Sequence, residues 1–162
     1  MSVIAATGLV PAEREAVFGF LAELGNHWLV ADRWIEVVAL DANRDGGRVR
    51  VRGPLGLRRT ARTRVLAMDP PVALEGTAVL GGTVARVRWE LLARGEATEV
   101  RLEARVERAT PLDRLLLAAG GRAWLRRRLA ATVAGLAARS AAASRSAGPR
   151  PPAPREAWTA RA

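Results

Sequence analysis

"TVARVRWELLARGEATEVRLEARVER", residues 83–108, keeps a period of two on both sides of a Gly-Glu-Ala break. In the second half Val100, Leu102, Ala104 and Val106 alternate with Arg101, Glu103, Arg105 and Glu107. In the first half Ala85, Val87, Trp89 and Leu91 oppose Arg86, Arg88 and Glu90. Successive strand residues point to opposite faces, so the pattern predicts two strands with one apolar side and one charged side. Signs alternate along the charged side, which predicts a solvated face held by cross-strand pairs of ~0.2–1 kcal/mol each.

The same period extends upstream. "RVRVRGPLGLRRTARTR", residues 48–64, holds seven arginines in seventeen positions. Val49 and Val51 oppose Arg48, Arg50 and Arg52; past the Gly-Pro turn, Thr63 and Val65 oppose Arg58, Arg62 and Arg64. Arg59 breaks the rule by sharing parity with Ala61 and Thr63, which predicts a place at the edge of the apolar side. "WIEVVAL" and "VALEGTAVL" add strands, and "DANRDGG", "DPP" and "GG" supply turns. About six strands therefore form an antiparallel meander between Trp34 and Arg108, preceded by a short strand in "SVIAATGLVP".

Two helical segments flank the meander. "VPAEREAVFGFLAEL" has Pro11 and two glutamates at its start and an apolar face of Val17, Phe18, Phe20, Leu21 and Leu24. Gly25-Asn26 predicts its stop, leaving His27 in a loop. Downstream, Thr110 as N-cap, Pro111 and Asp113 open a long helix, with a kink expected at Gly120-Gly121. Leu125, Leu129, Thr132, Val133 and Leu136 share one face of it, and Trp124 falls off that stripe onto a different surface. Each strand has one apolar side that something must cover, and this helix is the long apolar element left to cover it. Residues 1–140 thus read as one domain and 141–162, rich in Ala, Pro and Arg and carrying Trp158, as a disordered tail.

Composition narrows the function. With 162 residues, 49% of them apolar, the chain suffices for one domain with a core. All 26 basic residues are arginine against 16 carboxylates, a net charge of +10. Complete absence of lysine beside abundant Ala and Gly points to GC-rich codon usage, so no specific nucleic-acid partner is expected. The absence of cysteine excludes disulfides, thiolate metal sites and a Cys nucleophile. "MSVIAATGLVPAERE" lacks a basic leader and no apolar run reaches roughly 18 residues, so a cytoplasmic protein without a transmembrane segment is expected; peripheral membrane contact stays open.

The order strand, helix, meander, long C-terminal helix resembles the START/SRPBCC superfamily, which includes polyketide cyclases, lipid-transfer domains and pollen-allergen-like proteins. The resemblance spans roughly residues 2–140 and is carried by "VPAEREAVFGFLAEL", "VLAMDPPVALEGTAV", "ARVRWELLARGEATEVRLEARVE" and "RAWLRRRLAATVAGLAARSA". It implies an α+β helix-grip fold: a curved antiparallel sheet of six to seven strands wrapped around the last helix, with an apolar cavity between them. The candidate lining is the inward-parity set: Val49, Val51, Thr63 and Val65, with Arg59 at the rim; Leu74; Val87, Trp89 and Leu91; Leu102 and Ala104; and Leu125 and Leu129 of the helix. The expected partner is a hydrophobic small molecule: a lipid, a polyketide or an aromatic compound.

Chemistry is sparse. His27, the single histidine, with Asp32 nearby in sequence, is the candidate acid–base pair should the chain be a cyclase or aromatase. Serine stands only at Ser2 and from Ser140 onward and tyrosine is absent, so no hydroxyl triad forms within the fold. One histidine and dispersed carboxylates make no metal set, and "GPLGLRRT" lacks the lysine and context of a phosphate loop; neither metal nor cofactor is expected. The inward positions are nearly all aliphatic, which favours a carrier over a catalyst.

Overall fold

The computed structural model describes residues 2–31, 34–53 and 56–146. The strands are β1 (Ser2–Val10), β2 (Ile35–Leu40), β3 (Gly46–Arg52), β4 (Arg58–Asp69), β5 (Ala73–Leu80), β6 (Thr83–Arg94) and β7 (Ala97–Arg108). They form one seven-stranded antiparallel sheet in the order β1-β7-β6-β5-β4-β3-β2. Two-residue turns join β5 to β6 and β6 to β7. Each begins with left-handed backbone, supplied by Gly81 (φ 59°) and Gly95 (φ 66°).

The alternation in residues 83–108 becomes register. Val87 faces Ala104, Trp89 faces Leu102 and Leu91 faces Val100 across β6 and β7, all on the inner side. On the outer side Arg86 reaches Glu75 and Glu107, both at 2.8 Å, and Arg88 reaches Glu90 at 2.9 Å. In β4 the alternation ends at an irregularity between Val65 and Ala67, so Val65 is the last residue to follow it.

Between β1 and β2 the chain makes two helices, α1 (Arg14–Ala22) and α2 (Leu24–Val30). This corrects the expected stop at Gly25-Asn26: both residues lie in the first turn of α2. The break falls at Glu23, whose extended backbone (φ −82°, ψ 103°) ends α1. Two side chains of α2 then take up orphaned carbonyls of α1. Asn26 Nδ2 donates to Phe20 O (2.9 Å), and His27 donates to Leu21 O.

The C-terminal segment opens as expected. Thr110 Oγ1 accepts from the Asp113 amide (3.2 Å) and Pro111 starts α3 (Pro111–Leu116). A kink over Leu117–Gly121, with Gly120 at φ 102°, redirects the chain into α4 (Arg122–Ser146). The tail beyond, with Trp158, lies outside the described residues. α4 seats on the sheet at Gly8, where even a β-carbon would stand 2.7 Å from Val133 Cγ1. Leu129, Val133 and Leu136 of α4 join Val10, Val17, Leu21, Leu91 and Val100 in the buried core. Burying each such side chain contributes ~1.5–3 kcal/mol.

Candidate ligand cavity

The core does not fill the space between sheet and helices. A cavity of about 330 Å³ remains between the inner face of β3–β7, α2, the kink and α4. Every candidate binding residue except Leu91 borders it: Val49, Val51, Arg59, Thr63, Val65, Leu74, Val87, Trp89, Leu102, Ala104, Leu125 and Leu129. Leu91 has the right parity but the wrong depth. It sits farther along β6, only 3% exposed, within the buried core and off the cavity wall.

The wall is apolar in composition, and three of its threonines turn their hydroxyl hydrogens away from the cavity. Thr77 Oγ1 donates to Ala85 O (3.2 Å), Thr132 Oγ1 to Arg128 O (2.9 Å) and Thr63 Oγ1 to Gly47 O (3.4 Å). Their hydroxyl hydrogens are spent on backbone carbonyls.

Polar groups gather at one end, where β4, the β5–β6 turn and α3 meet. Arg59 donates to Asp113 and, through Nη2, to Leu80 O at 3.2 Å. Asp113 also accepts from Thr83 and from Thr110 Oγ1 (3.0 Å). Arg59 is therefore at the rim, and its charge is already answered within the protein. Burial pushes the Asp113 carboxyl up. The hydrogen bonds from Arg59, Thr83 and Thr110 outweigh this and, with the Arg59 charge, hold it below its ordinary value. Asp113 fastens α3 to the sheet.

His27 borders the cavity from α2 and meets the Trp89 ring edge-on at 5.8 Å. A carbonyl can only accept, so the bond to Leu21 O places the imidazole proton on Nε2 and leaves Nδ1 as the acceptor. Burial lowers its pKa, against an upward pull from Leu21, so His27 favours the neutral form. Its proposed partner Asp32 lies outside the described residues. A depressed folded value has a testable sign. Stability is full above the unfolded value near 6.5 and falls as the pH drops below it, because the unfolded chain takes the proton first. Urea denaturation at pH 8 and pH 5 should show His27→Gln, which keeps a donor for Leu21 O, losing less stability on acidification than wild type. One such group contributes at most ~1.4 kcal/mol per pH unit.

Three tryptophans complete the wall without having been placed there by the parity rule. Trp124 faces the cavity and packs edge-on against Trp34 (5.8 Å), and Trp28 joins them from α2. This corrects the expectation that Trp124 contacts a different surface. Trp124 directly precedes Leu125 on α4 and both border the cavity, so the cavity face of that helix is wider than the core stripe. Among the described residues no group of three or more His, Asp or Glu side chains could hold a metal ion. No helix there is long and apolar enough to cross a membrane.

Residues 1–141 match the family described as polyketide cyclase / dehydrase and lipid transport. The chain belongs to this family. Solved structures agree on the polyketide cyclase-like, START-type helix-grip fold. TTHA0849 from Thermus thermophilus is 21% identical with a TM-score of 0.66, covering 88% of this chain and 99% of its own. The Zhui aromatase/cyclase from Streptomyces sp. R1128 is 17% identical with a TM-score of 0.67, covering 92% and 99%. A START superfamily protein from Mycobacterium smegmatis is 15% identical with a TM-score of 0.58, covering 85% and 97%. At these identities the likeness concerns the fold. No curated protein matches this polyketide cyclase-like sequence.

Proposed function

We propose that this polyketide cyclase-like protein binds a hydrophobic small molecule between sheet and C-terminal helix and acts as its carrier. The observation that carries the reading is a cavity of about 330 Å³ whose wall is apolar and whose threonines are satisfied internally. That volume lies at the lower end of small-molecule sites, roughly 300–1,000 Å³. Lipid transport stands in the family's own description, which supports such cargo. Native mass spectrometry of the purified protein, paired with Trp89 quenching by hydrophobic probes, tests it. A chain that takes up no lipid or aromatic probe is not a carrier.

A cyclase-type alternative is favoured by one observation, a neutral His27 held at the cavity wall with Nδ1 as acceptor. In that case His27→Ala abolishes turnover of a polyketide substrate and spares probe affinity.

A further inference from the structure

The outer face of the sheet is divided by charge. On β6 and β7, Arg86, Arg88, Arg101 and Arg105 each reach a glutamate within 3.4 Å. On β3 and β4, Arg50 has Glu36 at 3.4 Å and Arg64 has Asp45 at 4.0 Å. Arg48, Arg52, Arg58 and Arg62 have no carboxylate partner among the described residues. The register aggravates this, because Arg48 lies directly opposite Arg62 and Arg52 opposite Arg58. Like charges facing one another across strands destabilise a sheet. Codon usage explains why these cations are arginine; it does not explain why four of them on β3 and β4 stand without the carboxylates that accompany Arg86, Arg88, Arg101 and Arg105 on β6 and β7.

The unpaired half runs into an apolar rim. Leu57, 45% exposed, stands at the β3–β4 turn beside Arg58 and also borders the cavity. Two residues on, Arg59 bonds Asp113, and on either side of that aspartate α3 presents Leu112 and Leu115 to solvent at 62% and 65% exposure. Arginines beside exposed leucines make the chemistry of an element that rests on a bilayer.

We propose that the β3–β4 half of the outer face, with the Leu57, Leu112 and Leu115 rim, docks on a lipid surface bearing anionic head groups. Contact is edge-on at the β3–β4 turn: the leucines of the inner rim enter the acyl boundary and the outer-face arginines stand at head-group height, which relieves the Arg48/Arg62 and Arg52/Arg58 repulsion. A polynucleotide answers the arginines but gives the leucines nothing to bury in. Among the described residues the tryptophan rings that could stack on bases are also elsewhere: Trp28, Trp34, Trp89 and Trp124 all border the cavity. Docking does not depend on the cavity holding a ligand; if it does, Leu57 turns that cavity toward the membrane.

The test is flotation of the full chain with vesicles of phosphatidylcholine, alone and mixed with phosphatidylglycerol, at low and physiological salt. Binding is expected to the mixed vesicles and to weaken with salt. Each basic residue near an anionic surface contributes ~1 kcal/mol, about fivefold, so R48Q/R62Q should lower affinity on the order of twenty- to thirtyfold. R101Q/R105Q, with the same loss of charge on the paired half, should retain most of it. R48Q/R62Q should melt no lower than wild type, since it removes a repulsion, and L112S/L115S should also weaken binding. The idea is overturned by no binding to mixed vesicles at low salt, by equal losses in the two arginine doubles, by unchanged binding in L112S/L115S, or by tighter binding to duplex DNA than to vesicles. All of these are read without a cavity ligand, so they stand or fall apart from the carrier reading.

Discussion

Val87→Trp should sharply weaken uptake of a hydrophobic probe while leaving the protein as stable as before. Val87 projects from the middle of β6 into the cavity, flanked in register by Gly76 on β5 and Ala104 on β7. With neighbours that small, an indole has open space ahead of it, so the usual overpacking cost of ~1–3 kcal/mol should not appear. The ring meets wall atoms that now face a void, and a void forfeits those contacts. Probe affinity should fall about a hundredfold, ~2.7 kcal/mol, in titrations read by fluorescence. The opposite result, a melting temperature lowered by many degrees with binding untouched, would mean that residue 87 is packed core and the ligand sits elsewhere.

Asp113→Ala should loosen one element and leave the rest. The carboxylate receives Arg59, Thr83 and Thr110, and its loss strands the Thr83 hydroxyl at a half-buried site. Removing one partner of a buried, hydrogen-bonded pair costs ~3–5 kcal/mol. Arg59 keeps 36% of its side chain in solvent and can rehydrate, so ~2–3 kcal/mol is expected. The kink at Leu117–Gly121 separates α3 from α4, so the damage should be local. Hydrogen exchange should accelerate at the α3 amides far more than along α4. The pH dependence has the sign of a depressed carboxylate: its contribution is present above the ordinary value near 3.8 and is lost as the pH falls through the lower folded value. Asp113→Asn should remove that acid-limb dependence.

How much was legible in the sequence follows from the kind of information each residue needed. Strand parity is local, so Val87, Trp89, Leu102 and Ala104 could be turned inward from their neighbours alone, and the need for a covering helix followed. Depth along a strand is not local. Leu91 and Trp89 share parity and are both buried, yet of the two Trp89 alone borders the cavity, and no periodicity reports that. Trp28 and Trp34 depend on the path of the chain between β1 and β2, and Trp124 on how wide a face of α4 the cavity meets. Asp113 read as a first-turn carboxylate favourable to a helix start, which it is; its main partner lies 54 positions away in Arg59. The outer face was similarly half visible. Alternating signs within residues 101–107 announced the paired half, whereas the Arg48/Arg62 and Arg52/Arg58 oppositions exist only once β3 and β4 are in register.

The strand order has a further consequence. β1 and β2, consecutive strands in the chain, form the two opposite edges of the sheet, and α1 with α2 runs between them. That connection is a strap across an open hoop. Its length limits how far the edges can part, while Leu24, His27, Trp28 and Ala31 on its second half form part of the hoop's inside. If the cavity takes a ligand as proposed, the girth admitted follows the strap's length as well as the bulk of the side chains around it. Two chains with identical wall residues and straps of different length would hold cargo of different width.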